Sequence, residues 1–210
     1  MKLYDAEWAP SPRRVRVYLA EKGITVPMVR LNLRKGEHLG NEYLAVNDRA
    51  TVPALVLDDG SVLEESAAIC RYFEALHPDP PLFGTSPEEI GRIESRIRQV
   101  EAEGYAAVVY CFRNSAPGFE DRAESGNWPP LPQIPQLAER GRIMWDSFLQ
   151  RLDANLQDRE WIAGDRFSYA DITAMVAVDF GISVRLPAPE ERENVLRWHK
   201  AVSARPSAQA

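Results

Sequence analysis

The chain has 210 residues, enough for one compact domain or two small ones with a sizeable core. Hydrophobic residues make up 45% and charged residues 27%, as in ordinary soluble globular proteins. Lys and Arg total 25 against 31 Asp and Glu, which gives a net charge of −6. This balance argues against nucleic-acid binding, because phosphate contacts need a basic face.

No targeting or membrane segment is expected. The apolar runs fall well short of the roughly 20 residues of a membrane helix, and the segment 1–10 lacks the apolar core of a signal peptide. Cys70 and Cys111 are too few for a disulfide framework, and the histidines have no metal-ligand spacing. We therefore expect a soluble, cytoplasmic protein without a metal, in which both cysteines are small core residues.

The first part of the chain alternates between strand and helix patterns. Apolar residues recur at helical spacing from Pro12 to Lys22, and Gly23 is a typical residue to end that helix. The turn Asp58–Ser61 separates two strand-like runs and indicates a hairpin. The other predicted elements are a strand at 2–4, an alternating strand at 29–33, a short helix before the hairpin, hairpin strands at 53–57 and 62–64, and a helix marked by Ile69, Phe73 and Leu76.

A proline-rich break, His77–Pro81, divides the chain, because a helix cannot continue through these prolines. We predict a domain at 1–79, a linker at 80–87 and a second domain at 88–210. The order β-α-β, short helix, β-β-α indicates one small α/β sheet domain, and the second domain is predicted to be all-α.

Two capping boxes mark helix starts in the second part. Ser86–Glu89 places Ser at the N-cap, Pro at N1 and Glu at N3, and a long amphipathic helix follows to about Cys111. Ser168–Asp171 is the second box, so Asp171 is expected to be a cap rather than a catalytic acid. The proline-rich segment 114–135 is predicted to be a loop. Further helices are predicted around 137–152 and 195–202.

Two places in the first domain suit an anionic, extended ligand. Val52-Pro53 opens a strand, and a cis bond there leaves the backbone groups of Val52 able to pair with an extended peptide. Glu65-Ser66 lies where the hairpin gives way to a helix, so Ser66 and the helix N-terminus can hold a carboxylate. Pro12 likewise opens a helix whose N-terminus favours an anion such as a thiolate.

These motifs together resemble the glutathione S-transferase family. Ala50–Leu55 and Leu63–Ile69 look like its glutathione-binding half, and Ile162–Asp171 looks like its helix-capping signature. Arg14–Gly23 and Leu33–His38 are similar to its bacterial members. The resemblance spans essentially the whole chain. It implies a thioredoxin-like α/β N-terminal domain followed by an all-α helical-bundle domain.

Family membership also implies roles for individual residues. Val52, ahead of a cis Pro53, would pair through its backbone with the cysteinyl part of glutathione. Glu65 and Ser66 would hold the γ-glutamyl end, while basic side chains would hold the glycine carboxylate. The glutathione-binding residues implied in this way are Lys35, His38, Val52, Pro53, Glu65 and Ser66.

The chain departs from the family at the residue that stabilises the glutathione thiolate. Many relatives have Ser, Tyr or Cys after the first strand, and in ungapped register this position is Ala9. Ser11 lies two residues later and is the candidate catalytic residue, although Ser11-Pro12 is also an ordinary N-cap followed by an N1 proline. The thiolate donor is therefore the Ser11 hydroxyl, the backbone N–H groups of the helix start, or absent.

The resemblance implies a cytoplasmic, detoxifying transferase that uses glutathione as co-substrate and works as a homodimer. It would activate the glutathione thiol for attack on a small, mostly apolar electrophile, or use it in a related isomerase, lyase or peroxidase step. A non-catalytic glutathione-binding or regulatory protein of the same fold is the alternative, which Ala9 favours. Candidates for the electrophile pocket, chosen for apolar character, are Trp8, Tyr105, Tyr110, Phe112 and Trp128.

Overall fold

A computed structural model describes every residue of the chain, Met1–Ala210. The chain forms two compact units. The first unit contains residues 1–80, the segment 124–129 and Ala210, and the second contains residues 81–123 and 130–209. The segment 124–129 is thus remote in sequence from the rest of the first unit.

A mixed four-stranded sheet forms the centre of the first unit, with strand order β2-β1-β3-β4. Strand β1 runs parallel to β2 and antiparallel to β3, and β3 and β4 form the hairpin expected from the sequence. Leu3 and Leu55 pair across β1 and β3 and are fully buried. The strands are β1 (Lys2–Asp5), β2 (Met28–Arg30), β3 (Ala54–Val56) and β4 (Val62–Glu64).

Helices α1 and α3 pack against each other in the first unit. Both have a buried apolar side, represented by Val15 and Leu19 in α1 and by Ile69 and Phe73 in α3. Burial of such stripes is the main source of helix stability in a small domain. The helices are α1 (Pro10–Lys22), α2 (Asn41–Leu44) and α3 (Ser66–Leu76), with 3-10 turns at Leu33–Lys35 and Glu37–Leu39.

The second unit is helical, as predicted. Its helices are α4 (Pro87–Gln99), a π-helical turn (Val100–Tyr105), α5 (Ala106–Arg113), α6 (Pro135–Asn155), α7 (Tyr169–Ser183) and α8 (Glu193–Ser203), followed by a 3-10 turn at Pro206–Gln209. The expected single helix from Pro87 to about Cys111 is therefore interrupted by a wider turn. Gly104 lies in this turn against the ring of Phe148, where a Cβ atom would come within 2.7 Å of the ring.

The two predicted capping boxes differ in detail. At the start of α7, Asp171 accepts hydrogen bonds from the Ser168 N–H and hydroxyl, both at 3.0 Å, as the sequence predicts. Ser86 caps α4 by accepting from the Glu89 N–H at 3.2 Å. The Glu89 carboxylate, however, accepts from the N–H of Thr85 at 2.8 Å and not from the N–H of Ser86. The prediction of a full capping box at Ser86 was therefore wrong, because only the Ser86 half of the box is present.

The architecture confirms the predicted fold class, a small α/β sheet domain and an all-α domain. None of the helices combines the length and apolar character that crossing a membrane would require. Both cysteines are buried, as expected for core residues.

Candidate functional site

The hairpin brings the two predicted ligand-binding motifs together. Ala54 at the start of β3 pairs with Glu64 at the end of β4. Val52-Pro53, which precedes β3, and Glu65-Ser66, which follows β4, therefore lie at the same end of the hairpin. An extended ligand that pairs with Val52 has one of its ends next to the start of α3.

The other candidate residues follow strands that end at this same edge of the sheet. Tyr4 pairs with Ala54, so the end of β1 meets the start of β3, and the parallel strand β2 ends alongside β1. Ser11 follows β1, while Lys35 and His38 follow β2. The chain segments that lead to Ser11, Lys35 and His38 thus leave the sheet at the edge where the hairpin holds Val52-Pro53 and Glu65-Ser66.

The backbone ahead of Val52 is fixed by two side chains. The Tyr43 hydroxyl donates to the carbonyl oxygen of Thr51 at 2.5 Å, and the Asn47 side-chain amide donates to the same oxygen at 2.9 Å. Burial raises the pKa of Tyr43 to about 12, so this hydroxyl remains a donor throughout the neutral range. Both residues are almost fully buried.

Val52 itself is available to a ligand. The Val52-Pro53 peptide bond is cis, as the resemblance implied. Neither the N–H nor the carbonyl of Val52 takes part in a hydrogen bond within the protein, and the residue is half-buried. Because exposed backbone groups readily pair with an extended chain, Val52 offers one donor and one acceptor to a peptide-like molecule.

Glu65 and Ser66 form the turn into α3. Glu65 is the N-cap residue with a φ of 64°, a conformation that few non-glycine residues adopt, and Ser66 is the first residue of the helix. The Ser66 hydroxyl makes no hydrogen bond within the chain, although Ser66 is only 4% exposed. Arg49 lies 3.3 Å from both Glu64 and Glu65 carboxylates and ties this turn to the loop before Val52.

Ser11 is not the N-cap residue of α1, which was one interpretation of the Ser11-Pro12 pair. The N-cap residue is Ala9, and α1 begins at Pro10. Pro10 and Pro12 have no N–H, so Ser11 supplies the only backbone N–H among the first three residues of the helix. Its hydroxyl oxygen accepts a hydrogen bond from Nη2 of Arg14 at 3.0 Å. Two of the three alternatives for the thiolate donor, the hydroxyl and the backbone N–H, therefore both belong to Ser11, and the third is that no donor is present.

The two basic candidates after β2 have different surroundings. His38 is 8% exposed and lies in the second 3-10 turn, whereas Lys35 is exposed at the end of the first. Nearby, the Arg34 guanidinium lies 5.7 Å from the ring centroid of Trp8, which is itself 51% exposed. A cation over an exposed indole holds that ring at the surface of the segment that leads into α1.

The second unit has its own aromatic cluster. The ring of Phe180 lies 6.0 Å from that of Tyr105 and 5.6 Å from that of Phe112, which in turn contacts Phe119 at 5.0 Å. Tyr105 and Phe112 were predicted as pocket residues, whereas Phe119 and Phe180 were not. Trp128, another predicted pocket residue, belongs to the first unit and is 60% exposed.

Sequence reasoning missed the residues that support the site. Tyr43, Asn47 and Arg49 carry no motif of their own, and their roles depend on contacts across several turns of the chain. One signal was present, since an Asn shortly before the Val52-Pro53 pair is a typical turn residue whose side chain bonds nearby backbone.

Two family models match the chain. The model of the glutathione S-transferase N-terminal domain matches residues 8–76, and that of the C-terminal domain matches residues 135–206. Glutathione S-transferase 2 of Saccharomyces cerevisiae is 39% identical over 209 residues, covering 99% of this chain and 87% of that protein.

Solved structures give the same result. The crystal structure of Gtt2 from Saccharomyces cerevisiae has a TM-score of 0.90 and 38% identity, covering 100% of this chain and 99% of that one. A glutathione S-transferase domain-containing protein of Marinobacter aquaeolei VT8 has a TM-score of 0.90 and 35% identity, covering 99% of both chains. The fold is that of a thioredoxin-like domain followed along the chain by a helical domain. The chain belongs to the glutathione S-transferase family.

Proposed function

We propose that this protein is a glutathione transferase that activates the glutathione thiol for attack on a small, mostly apolar electrophile. The observation that carries the proposal is the placement of Val52, with both backbone groups unused, next to the Glu65-Ser66 turn at the start of α3. An extended γ-glutamyl peptide needs such a backbone partner and an anion site at one end of it.

Each part of glutathione then has a partner of matching chemistry. The cysteinyl backbone pairs with the N–H and carbonyl of Val52, ahead of Pro53. The γ-glutamyl carboxylate accepts from the Ser66 hydroxyl and the N-terminus of α3, and Glu65 accepts from its ammonium group. Lys35 and His38 face the glycine carboxylate at the other end of the peptide.

The catalytic requirement is a glutathione thiolate. A free thiol with a pKa of about 8.5 is only roughly 3% ionised at pH 7, so lowering the pKa by about two units makes it mostly nucleophile. We assign this task to Ser11, whose hydroxyl already accepts from the Arg14 guanidinium. An O–H group that accepts a charge-assisted hydrogen bond is a stronger donor to an anion.

The class of electrophile is inferred from the aromatic residues of the second unit, and the homodimer is inferred from the family resemblance. Tyr105, Phe112 and Phe180 provide an apolar surface that suits an aromatic or aliphatic electrophile. The thiolate attacks the electrophilic carbon, and the leaving group departs with the displaced electron pair. The homodimeric state, the cytoplasmic location and the detoxifying role remain proposals drawn from the resemblance.

The first test is binding and turnover with purified full-length protein. Titration calorimetry measures the affinity for glutathione in the wild type, in Ser66→Ala and in Ser61→Ala, a control in the hairpin turn. We expect Ser66→Ala to weaken binding by about 10- to 150-fold, because a charge-assisted hydrogen bond contributes about 1.5–3 kcal/mol. Turnover is measured with an activated aryl chloride as electrophile.

Three outcomes are distinct. Binding with conjugation supports the transferase. Binding without any conjugation, and with an unshifted thiol pKa, supports the non-catalytic glutathione-binding protein that Ala9 favours. Absence of glutathione binding in the wild type contradicts the proposal altogether.

A further inference from the structure

One segment of the first unit contributes no residue to the proposed glutathione site. Residues 124–129, which we call the docking segment, come from the proline-rich loop at 114–135 yet pack within the first unit. The residues at its base pair with each other, since the Ala123 N–H donates to the Leu131 carbonyl at 3.0 Å. Inside the segment, the Trp128 indole N–H donates to the Ser125 carbonyl at 2.8 Å and closes the turn.

The docking segment binds the loop that leads to Val52. The Asn127 backbone N–H donates to the Arg49 carbonyl at 2.8 Å, and its side-chain amide donates to the Asp48 carbonyl at 3.1 Å. These two residues come just before Ala50, which has a φ of 53°. The loop thus has a strained conformation that is held by partners on both sides, Asn47 and Tyr43 from within and Asn127 from the docking segment.

Gly126 shows how close this contact is. A Cβ atom at this position would lie 2.7 Å from the Arg49 carbonyl oxygen and 3.2 Å from the Thr51 side-chain methyl. The φ of Gly126 is +105°, which side chains rarely adopt. Only glycine allows the segment to lie against the loop with Asn127 at hydrogen-bond distance.

The loop from Asn47 to Thr51 contacts both parts of the candidate site, Val52 and the Glu65-Ser66 turn. Its last residue, Thr51, precedes Val52, and its Arg49 side chain lies 3.3 Å from the Glu65 carboxylate. A shift of this loop therefore displaces the backbone partner of the cysteinyl group and the partner of the γ-glutamyl group together. Ser11 belongs to another element, α1.

We propose that Asn127 and Gly126 position the glutathione-binding loop, so that the docking segment sets the affinity for glutathione without taking part in thiol activation. The proposal rests on the proposed glutathione site at Val52 and Glu65-Ser66. Asn127 is a positioning residue, because its hydrogen bonds go to the backbone carbonyls of Asp48 and Arg49. Its loss affects how often the loop is in the binding geometry, and the apparent affinity falls with that fraction.

The test compares Asn127→Asp and Gly126→Ala with Ser125→Ala in full-length protein. Asp at 127 replaces the amide donor with an acceptor facing the Asp48 carbonyl, whereas the Ser125 side chain makes no hydrogen bond and is the control. We expect the KM for glutathione to rise about three- to tenfold in the first two variants, which corresponds to the loss of one hydrogen bond. The kcat, the KM for the aryl chloride and the pKa of the bound thiol stay at wild-type values.

Amide hydrogen exchange gives a second readout that does not need glutathione. We expect faster exchange of the peptide covering residues 47–57 in Asn127→Asp and Gly126→Ala, but not in Ser125→Ala. Unchanged exchange and unchanged glutathione KM in both variants would overturn the inference. If the wild type binds no glutathione at all, the proposed function fails, while faster exchange in the variants still shows whether the segment holds the loop.

Discussion

Arg16 and Asp5 form a buried ion pair where β1 gives way to α1. Nη1 of Arg16 lies 2.5 Å from Oδ1 of Asp5, and the two side chains are 8% and 0% exposed. The same guanidinium donates to the carbonyls of Glu7 at 2.7 Å and Ala6 at 3.4 Å. One side chain of α1 thus fixes the backbone of the segment that leads to Ala9 and the helix start.

Loss of Arg16 should destabilise the protein strongly. Arg16→Met leaves the Asp5 carboxylate buried without its closest cation, which typically costs about 3–5 kcal/mol. Arg30→Met is the matched control, because Arg30 is 57% exposed and lies 3.9 Å from Asp5, and it should cost less than about 1 kcal/mol.

The measurement for this pair is the free energy of unfolding from urea denaturation. Combining Arg16→Met with Asp5→Asn removes the uncompensated charge, so the double variant should be more stable than Arg16→Met alone. If Arg16→Met and Arg30→Met lower the free energy of unfolding equally, the buried ion pair contributes no more to stability than the exposed one.

A second prediction concerns two helical glycines with opposite surroundings. A Cβ atom at Gly141 of α6 would lie 2.6 Å from the Ala107 carbonyl oxygen and 2.8 Å from the Cys111 sulfur, whereas nothing lies within 4 Å at Gly91 of α4. Gly141→Ala should cost about 1–3 kcal/mol through overpacking. Gly91→Ala should stabilise the protein by about 0.5–1 kcal/mol, because alanine loses less entropy in a helix.

Thermal unfolding of the two alanine variants tests this contrast directly. The midpoint should fall in Gly141→Ala and rise slightly in Gly91→Ala. An unchanged or higher midpoint in Gly141→Ala would mean that α5 and α6 can separate without cost, and a lower midpoint in Gly91→Ala would contradict the expected gain from alanine.

Features that depend on a local sequence pattern could be predicted from the sequence, whereas features that depend on contacts between distant residues could not. The turn at Asp58–Ser61 and its flanking runs predicted the hairpin, because hairpin register is a local property. That register brings Val52 and Glu65 to the same end of the hairpin. The docking segment could not be foreseen, since its partner loop is remote in sequence. The alternative interpretation of Ser11 as an N-cap rested on Ser-Pro being typical of helix starts, whereas α1 begins at Pro10 with Ala9 as its N-cap.

Acid sensitivity is expected from Glu89. Hydrogen bonds from Thr85 and then Arg166 lower the pKa of its carboxyl from 4.5 to about 2 in the folded protein. A lowered folded pKa means that folding favours the ionised form, so this contribution is fully present above about pH 4.5. It is lost as the pH falls toward 2.

Urea denaturation at a series of pH values between 2 and 6 measures this contribution. Glu89→Gln should reduce the loss of unfolding free energy over this window relative to the wild type. Glu139→Gln, an exposed residue of α6, is the control and should leave the profile unchanged. A Glu89→Gln profile parallel to that of the wild type would contradict the assignment.

The last prediction separates the two groups of Ser11. Ser11→Ala removes the hydroxyl and keeps the backbone N–H, whereas Pro10 and Pro12 offer no other N–H in the first three residues of α1. We expect Ser11→Ala to raise the pKa of bound glutathione toward about 8.5 and to lower turnover at neutral pH. Turnover should recover at high pH, where the thiol ionises without help, and Ser11→Thr should retain part of the shift.

Ultraviolet titration of the thiolate in each complex measures the pKa. A full shift that persists in Ser11→Ala would transfer the role to the Ser11 backbone N–H and the helix N-terminus.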